Sequence, residues 1–228
     1  DQTRRQRQMC IRDSRNSGRS RWNDEEYTLN DMAEDVSYTL ITHRINNCHI
    51  VGASMGGAIA QIVSMKRHET VRSLTLLMST SVLGIWSNSV PPPHKTCMRG
   101  ITRSAKCNDV SKGLIMRYKT LANGENISDE ELKNLAKRVL RHGYNPNTDH
   151  LNAFMRSSAR TGFLSHIKCK TLIVHGSHDP LFQMAHASLI HENMPSSKMV
   201  VMDNVGHHLS EKTGYILTEH ISSHCKSI

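Results

Sequence analysis

Four short apolar runs are spaced along the chain and separated by sequence of helix-like composition. They are residues 48–51, 74–78, 171–175 and 198–202. Their apolar residues are nearly continuous, which is typical of strands that are buried on both faces. Strands of this kind that alternate with helices form parallel sheets with helices on both sides. The pattern therefore predicts an α/β fold built on a parallel sheet.

A long insertion, residues 81–170, separates the second apolar run from the third and exceeds the length of an ordinary loop. Within it, Ser128 and Glu131 have the spacing of a helix N-terminal capping box, and Gly143 provides a C-terminal stop. The apolar face of this predicted helix contains Leu132, Leu135, Val139 and Leu140. Two weaker helix candidates are residues 99–121 and 150–158. We interpret the insertion as a helical cap over the core, which comprises residues 15–80 and 171–228.

Composition restricts the classes of function. The 228 residues suit one domain, and the net charge of +9 raises the question of nucleic acid. The basic residues are spread along the chain, and only three Phe, two Trp and five Tyr are present, so we predict neither a nucleic-acid nor a membrane partner. The six cysteines are scattered without a C-x-x-C pair, which predicts no zinc site, no disulfide framework and a cytoplasmic location.

The stretch "HIVGASMGGAIAQ" joins the first apolar run to a predicted helix. Its Gly52, Ser54 and Gly56 fit the G-x-S-x-G pattern of a nucleophile elbow, in which a sharp turn between strand and helix exposes the serine. The small residues that follow, including Gly56 and Gly57, are expected to let the helix pack close to the sheet. Ser54 is therefore the candidate nucleophile.

A serine hydroxyl is a poor nucleophile, so it requires a base to accept its proton and a carboxylate to orient that base. Asp179 follows the third apolar run in "HGSHDP", and His207 follows the fourth in "DNVGHH". All three candidates come at the carboxyl ends of predicted parallel strands, which meet at one edge of a sheet. The sequence therefore predicts a site formed by Ser54, Asp179 and His207.

Other residues near these motifs offer alternative interpretations. His208 is the alternative base, and Asp203 is expected to face solvent or to cap its strand. His175 and His178 have H-x-x-H spacing, but no third ligand is obvious, so we interpret them as packing and loop residues and predict no metal site.

The chain resembles the α/β-hydrolases, in particular capped serine esterases similar to the aclacinomycin methylesterases. The segments that carry the resemblance are "YTLNDMAEDV", "HIVGASMGGAIAQ", "VRSLTLLMSTS", "TLIVHGSHDP" and "MDNVGHH". The resemblance implies Ser54 as nucleophile, Asp179 as acid, His207 as base and the backbone N–H of Met55 as one oxyanion donor. It implies a small-molecule ester as substrate and no cofactor. A serine at position 54 argues against the dehalogenase and epoxide hydrolase relatives, which use an aspartate nucleophile.

The first residues depart from the family pattern. "DSRNSGRS", at residues 13–20, resembles the segment that follows the fourth strand of the fold, so we expect the N-terminal strands and a His-Gly oxyanion loop to be missing. Residues 1–14 are interpreted as a non-native or disordered start because they are too polar for a core strand. Two hypotheses follow: a serine esterase, or a catalytically silent hydrolase-fold fragment or binding module with an incomplete oxyanion hole.

Overall fold

The computed structural model describes residues 13–18, 20, 25–82, 88–146 and 148–228. Its strands are β1 (Cys48–Ala53), β2 (Val71–Leu77), β3 (Lys170–Gly176) and β4 (Ser197–Met202). They form one parallel sheet in the order β1-β2-β3-β4. The four apolar runs coincide with these strands, and the predicted α/β fold with a parallel sheet is confirmed.

The helices of the described residues alternate with these strands and fill the insertion. They are α1 (Leu29–Thr42), α2 (Met55–Lys66), α3 (Lys95–Ala105), α4 (Val110–Ala122), α5 (Asp129–His142), α6 (His150–Arg156), a 3₁₀ helix (Thr161–His166), α7 (Met184–Glu192) and α8 (Glu211–Lys226). None of these helices is long and apolar enough to cross a membrane.

Helices cover both faces of the sheet, as the apolar runs predicted. On β3, Leu172 and Val174 pack in one cluster with Leu217 of α8. Ile173, between them, points to the opposite face and packs with Ile190 of α7. Successive side chains of a strand point to opposite faces, so a continuous apolar run serves two helical layers at once.

The two outer strands are less buried than their sequences predicted. Val51 of β1 is 46% exposed and Val201 of β4 is 42% exposed. Within the described residues, β1 pairs only with β2 and β4 only with β3. Apolar character indicates strand formation but not the place of a strand in the sheet, which is why β1 and β4 were predicted as fully buried.

The described residues of the predicted cap (residues 81–170) include helices α3 to α6, with two differences from the predicted elements. The candidate helix at residues 99–121 is two helices, because the Asp109 side chain accepts a hydrogen bond from the Lys112 N–H at 3.0 Å and begins α4 anew. In α5, Ser128 and Gly143 cap the helix as predicted. Leu140, which was predicted to lie on the apolar face of this helix, is 39% exposed. The boundaries of core and cap stay a prediction.

The described N-terminal segment contacts the core and the cap. Arg15 donates two hydrogen bonds of 2.7 Å to the Asp35 carboxylate of α1, and the ring of His150 in α6 lies 3.1 Å from the Arg15 carbonyl oxygen. Residues 1–12 of the predicted non-native start lie outside the described residues. The predicted absence of upstream strands stays a prediction.

Candidate active site

Ser54 lies in the sharp turn between β1 and α2. Its backbone has φ 53° and ψ −121°, a combination that residues with a side chain rarely adopt. The Ser54 N–H donates to the Leu77 carbonyl at 2.8 Å and fixes the turn against β2. A Cβ on Gly52 would come within 2.4 Å of the Gly56 carbonyl oxygen, so glycine is required at position 52. The local geometry is that of a strained elbow whose serine is partly exposed.

The close approach of α2 to the sheet depends on Gly57 and not on Gly56. A Cβ on Gly57 would lie 2.5 Å from the Ser79 hydroxyl oxygen, whereas a Cβ on Gly56 would meet nothing within 4 Å. Ser79 in turn donates to the Ser54 carbonyl at 2.8 Å. The expectation that both glycines permit close packing was therefore wrong for Gly56, because the position of its missing Cβ is open space.

A continuous chain of hydrogen bonds joins Asp179, His207 and Ser54. His207 Nδ1 lies 2.7 Å from Asp179 Oδ2, and His207 Nε2 lies 2.9 Å from Ser54 Oγ. Because the carboxylate can only accept, Nδ1 carries the proton and Nε2 is free to accept from the serine. The structure thus brings together the three residues that the sequence singled out.

Asp179 is held by its own loop. Its side chain is fully buried, and Oδ1 accepts hydrogen bonds from the Leu181 and Phe182 N–H groups at 2.9 and 2.8 Å. His175 Nε2 lies 2.5 Å from the Phe182 carbonyl oxygen and 3.4 Å from Asp179 Oδ2. Burial lowers the pKa of His175, so its neutral ring donates to that carbonyl. His175 is a packing residue, as predicted, and His178 is exposed on the loop.

Phe182 is a residue that sequence reasoning missed. Its ring meets the His207 ring edge to face at 5.4 Å and lies 5.2 Å from the buried ring of His186. His186 is fixed by Thr80, whose hydroxyl lies 2.8 Å from Nδ1. The only available signal was the position of Phe182 three residues after Asp179, and no general pattern links that spacing to a contact with the histidine.

The structure also separates the alternative base from Ser54. His208 is 5% exposed and its ring lies 5.6 Å from that of Tyr118 in the cap. Burial lowers its pKa, so the ring is neutral near pH 7. Asp203 is exposed, as expected.

Met55, the predicted oxyanion donor, is the first residue of α2. The first N–H groups of a helix have no acceptor within the helix and carry its partial positive charge. This N–H is therefore suited to stabilise an oxyanion beside Ser54.

No group of three or more His, Cys, Asp or Glu side chains in the described part of the chain could hold a metal ion. The five cysteines of that part, Cys48, Cys97, Cys107, Cys169 and Cys225, are free thiols.

Comparison with known proteins identifies the family. Residues 2–212 match the family described as alpha/beta hydrolase fold. The chain belongs to this family.

Relatives and solved structures agree with that assignment. The AB hydrolase superfamily protein YisY of Bacillus subtilis is 29% identical over 206 residues, which cover 86% of this chain and 72% of the relative. Rhodomycin D methylesterase DnrP of Streptomyces peucetius is 22% identical over 238 residues, covering 94% of this chain and 80% of the relative. The esterase EaEST of Exiguobacterium antarcticum superposes with a TM-score of 0.78 at 21% identity, covering 94% of this chain and 80% of its own.

Proposed function

We propose that the chain is a serine hydrolase that cleaves a carboxylic ester through Ser54, His207 and Asp179. The observation that carries this proposal is the chain of two hydrogen bonds, 2.7 and 2.9 Å long, from Asp179 through His207 to Ser54. Membership in a hydrolase-fold family and the similarity to a methylesterase also support it.

In the proposed reaction, Ser54 Oγ attacks the ester carbonyl carbon while His207 Nε2 accepts the hydroxyl proton. The Met55 N–H stabilises the negative charge that develops on the carbonyl oxygen. His207 then gives its proton to the alcohol as the carbon–oxygen bond breaks, which leaves an acyl group on Ser54. Water then attacks the acyl carbon while His207 Nε2 accepts a proton from it, and His207 returns this proton to Ser54 Oγ as the bond between the acyl carbon and Oγ breaks and the acid leaves. Asp179 stabilises the imidazolium in both steps.

The reaction requires no cofactor, because the base, nucleophile and carboxylate all belong to the chain. We further propose a small-molecule ester as substrate, with the cap over the site, and a cytoplasmic location. Free thiols at all five described cysteines are compatible with a reducing compartment.

Labelling with a fluorophosphonate probe tests the nucleophile. The wild type should be labelled at Ser54, and Ser54→Ala should abolish labelling, because within the described residues Ser54 is the hydroxyl whose histidine partner is itself oriented by a carboxylate. Ser196→Ala, which alters an exposed serine before β4, serves as the control and should label like the wild type. Labelling that survives Ser54→Ala would overturn the assignment.

The base is tested in the same assay with the two neighbouring histidines. His207→Gln should abolish labelling and turnover, whereas His208→Gln should retain both, because only His207 contacts Ser54 Oγ. The opposite result would make His208 the base. A folded wild type that neither labels nor hydrolyses a panel of activated esters would favour a silent binding module.

A further inference from the structure

The end of helix α4 in the cap lies directly against the loop that carries His207. The His207 N–H donates to the Leu121 carbonyl at 2.7 Å. A Cβ on the preceding Gly206 would lie 2.4 Å from the carbonyl oxygens of both Leu121 and Ala122. The contact is therefore between backbones, and only glycine permits it.

The next residue of the cap reaches the loop that carries Asp179. Asn123 ends α4 in the left-handed conformation, with φ 49° and ψ 51°, which asparagine tolerates better than most residues. Its side-chain amide donates to the His178 carbonyl at 2.8 Å, one residue before Asp179. Three consecutive cap residues thus contact both loops.

The contact continues along the segment after His207. The Ser210 hydroxyl donates to the Glu125 carboxylate at 2.6 Å, and the Glu211 N–H donates to the Glu131 carboxylate at 2.7 Å. These bonds anchor the histidine loop to the cap without reaching the aspartate loop. The Asn123 side chain reaches the aspartate loop just before Asp179, and the cap also reaches that loop just after Asp179, where the His94 N–H donates to the Pro180 carbonyl at 2.8 Å.

We propose that Asn123 is a positioning residue through which the cap holds Asp179 and His207 at hydrogen-bonding distance. This inference rests on the proposed function of the two residues. The loops are also joined directly, because the His178 N–H donates to the Val205 carbonyl at 2.9 Å. Loss of the Asn123 amide should therefore loosen the pair without separating it, and the effect on rate should be modest.

Substitutions at the exposed Asn123 test this role without disturbing a core. Glycine adopts the left-handed conformation without strain, so Asn123→Gly removes only the side-chain amide, whereas Asn123→Ala also strains the backbone. We expect Asn123→Gly to lower kcat about three- to tenfold with unchanged KM, the loss typical of one hydrogen bond. The acid limb of the pH profile should move to lower pH, because a looser Asp179 stabilises the His207 imidazolium less.

The matched control is Asn193→Ala, since the Asn193 amide donates to Leu189 within α7 and contacts neither loop. This variant should keep the wild-type kcat and pH profile. Unchanged kcat in Asn123→Gly, or a lower kcat without a shift of the acid limb, would overturn the positioning role.

A measurement that needs no turnover separates this inference from the proposed function. The His207 ring is titrated by NMR in wild type and in Asn123→Gly, with its resonance assigned by its loss in His207→Gln. A lower titration midpoint in Asn123→Gly supports the inference, and an identical midpoint overturns it. A wild type that does not react with the fluorophosphonate probe would instead refute the proposed function, whatever this titration shows.

Discussion

Asp179→Asn should remove activity while preserving the fold. The amide oxygen of the new side chain would take the place of Oδ1, because the Leu181 and Phe182 N–H groups at 2.9 and 2.8 Å require an acceptor there. The amide nitrogen must then face His207 Nδ1, which lies 2.7 Å from the present Oδ2. To accept from that nitrogen, Nδ1 has to lose its proton. The proton moves to Nε2, which points at Ser54 Oγ and can no longer act as a base.

The expected loss is about 10⁴ in kcat, the scale known for this kind of tautomer reversal, or about 5.5 kcal/mol of transition-state stabilisation. The number of hydrogen bonds is conserved, so the melting temperature should change little. Hydrolysis of a short-chain aryl ester and a thermal melt are measured on the same preparation, with Asp203→Asn as the control at an exposed carboxylate. Activity within tenfold of the wild type would refute the assignment of Asp179 as the orienting acid.

Two further predictions concern stability. Gly57→Ala should destabilise the fold by about 1–3 kcal/mol, because the new methyl group would lie 2.5 Å from the Ser79 hydroxyl oxygen. Gly56→Ala should be neutral or should stabilise the fold by up to about 1 kcal/mol, because its methyl group would meet no atom within 4 Å. The urea unfolding midpoints of the two variants are measured, and equal midpoints would contradict the packing argument. Burial lowers the pKa of His208 below its usual 6.5, so its stabilising contribution is present above pH 6.5 and is lost as the pH falls through the folded-state value. His208→Phe should therefore show a smaller loss of unfolding free energy between pH 7 and pH 5 than the wild type, and an equal loss would contradict this reasoning.

The sequence predicted much of the site because the relevant signals are local. The turn at Ser54 requires glycine at position 52, because a Cβ on that residue would lie 2.4 Å from a backbone carbonyl oxygen. Asp179 and His207 each follow an apolar run, and parallel strands necessarily end at one edge of the sheet. Short motifs and their order along the chain therefore predicted the three residues, with His208 left open as the alternative base.

Contacts between distant segments could not be predicted in the same way. The place of β1 at the edge of the described sheet depends on packing that no local pattern encodes. The Phe182 ring against His207 and the bond from Asn123 to the Asp179 loop likewise join residues that no local pattern relates. Periodicity and capping describe interactions within a few residues, whereas these contacts depend on how whole helices and strands pack. The sequence by itself thus determined the elbow, the order of the site residues and the parallel sheet. Only the tertiary structure decided that His207 and not His208 meets Ser54, because the carbonyl at the end of α4 fixes the backbone of the histidine loop.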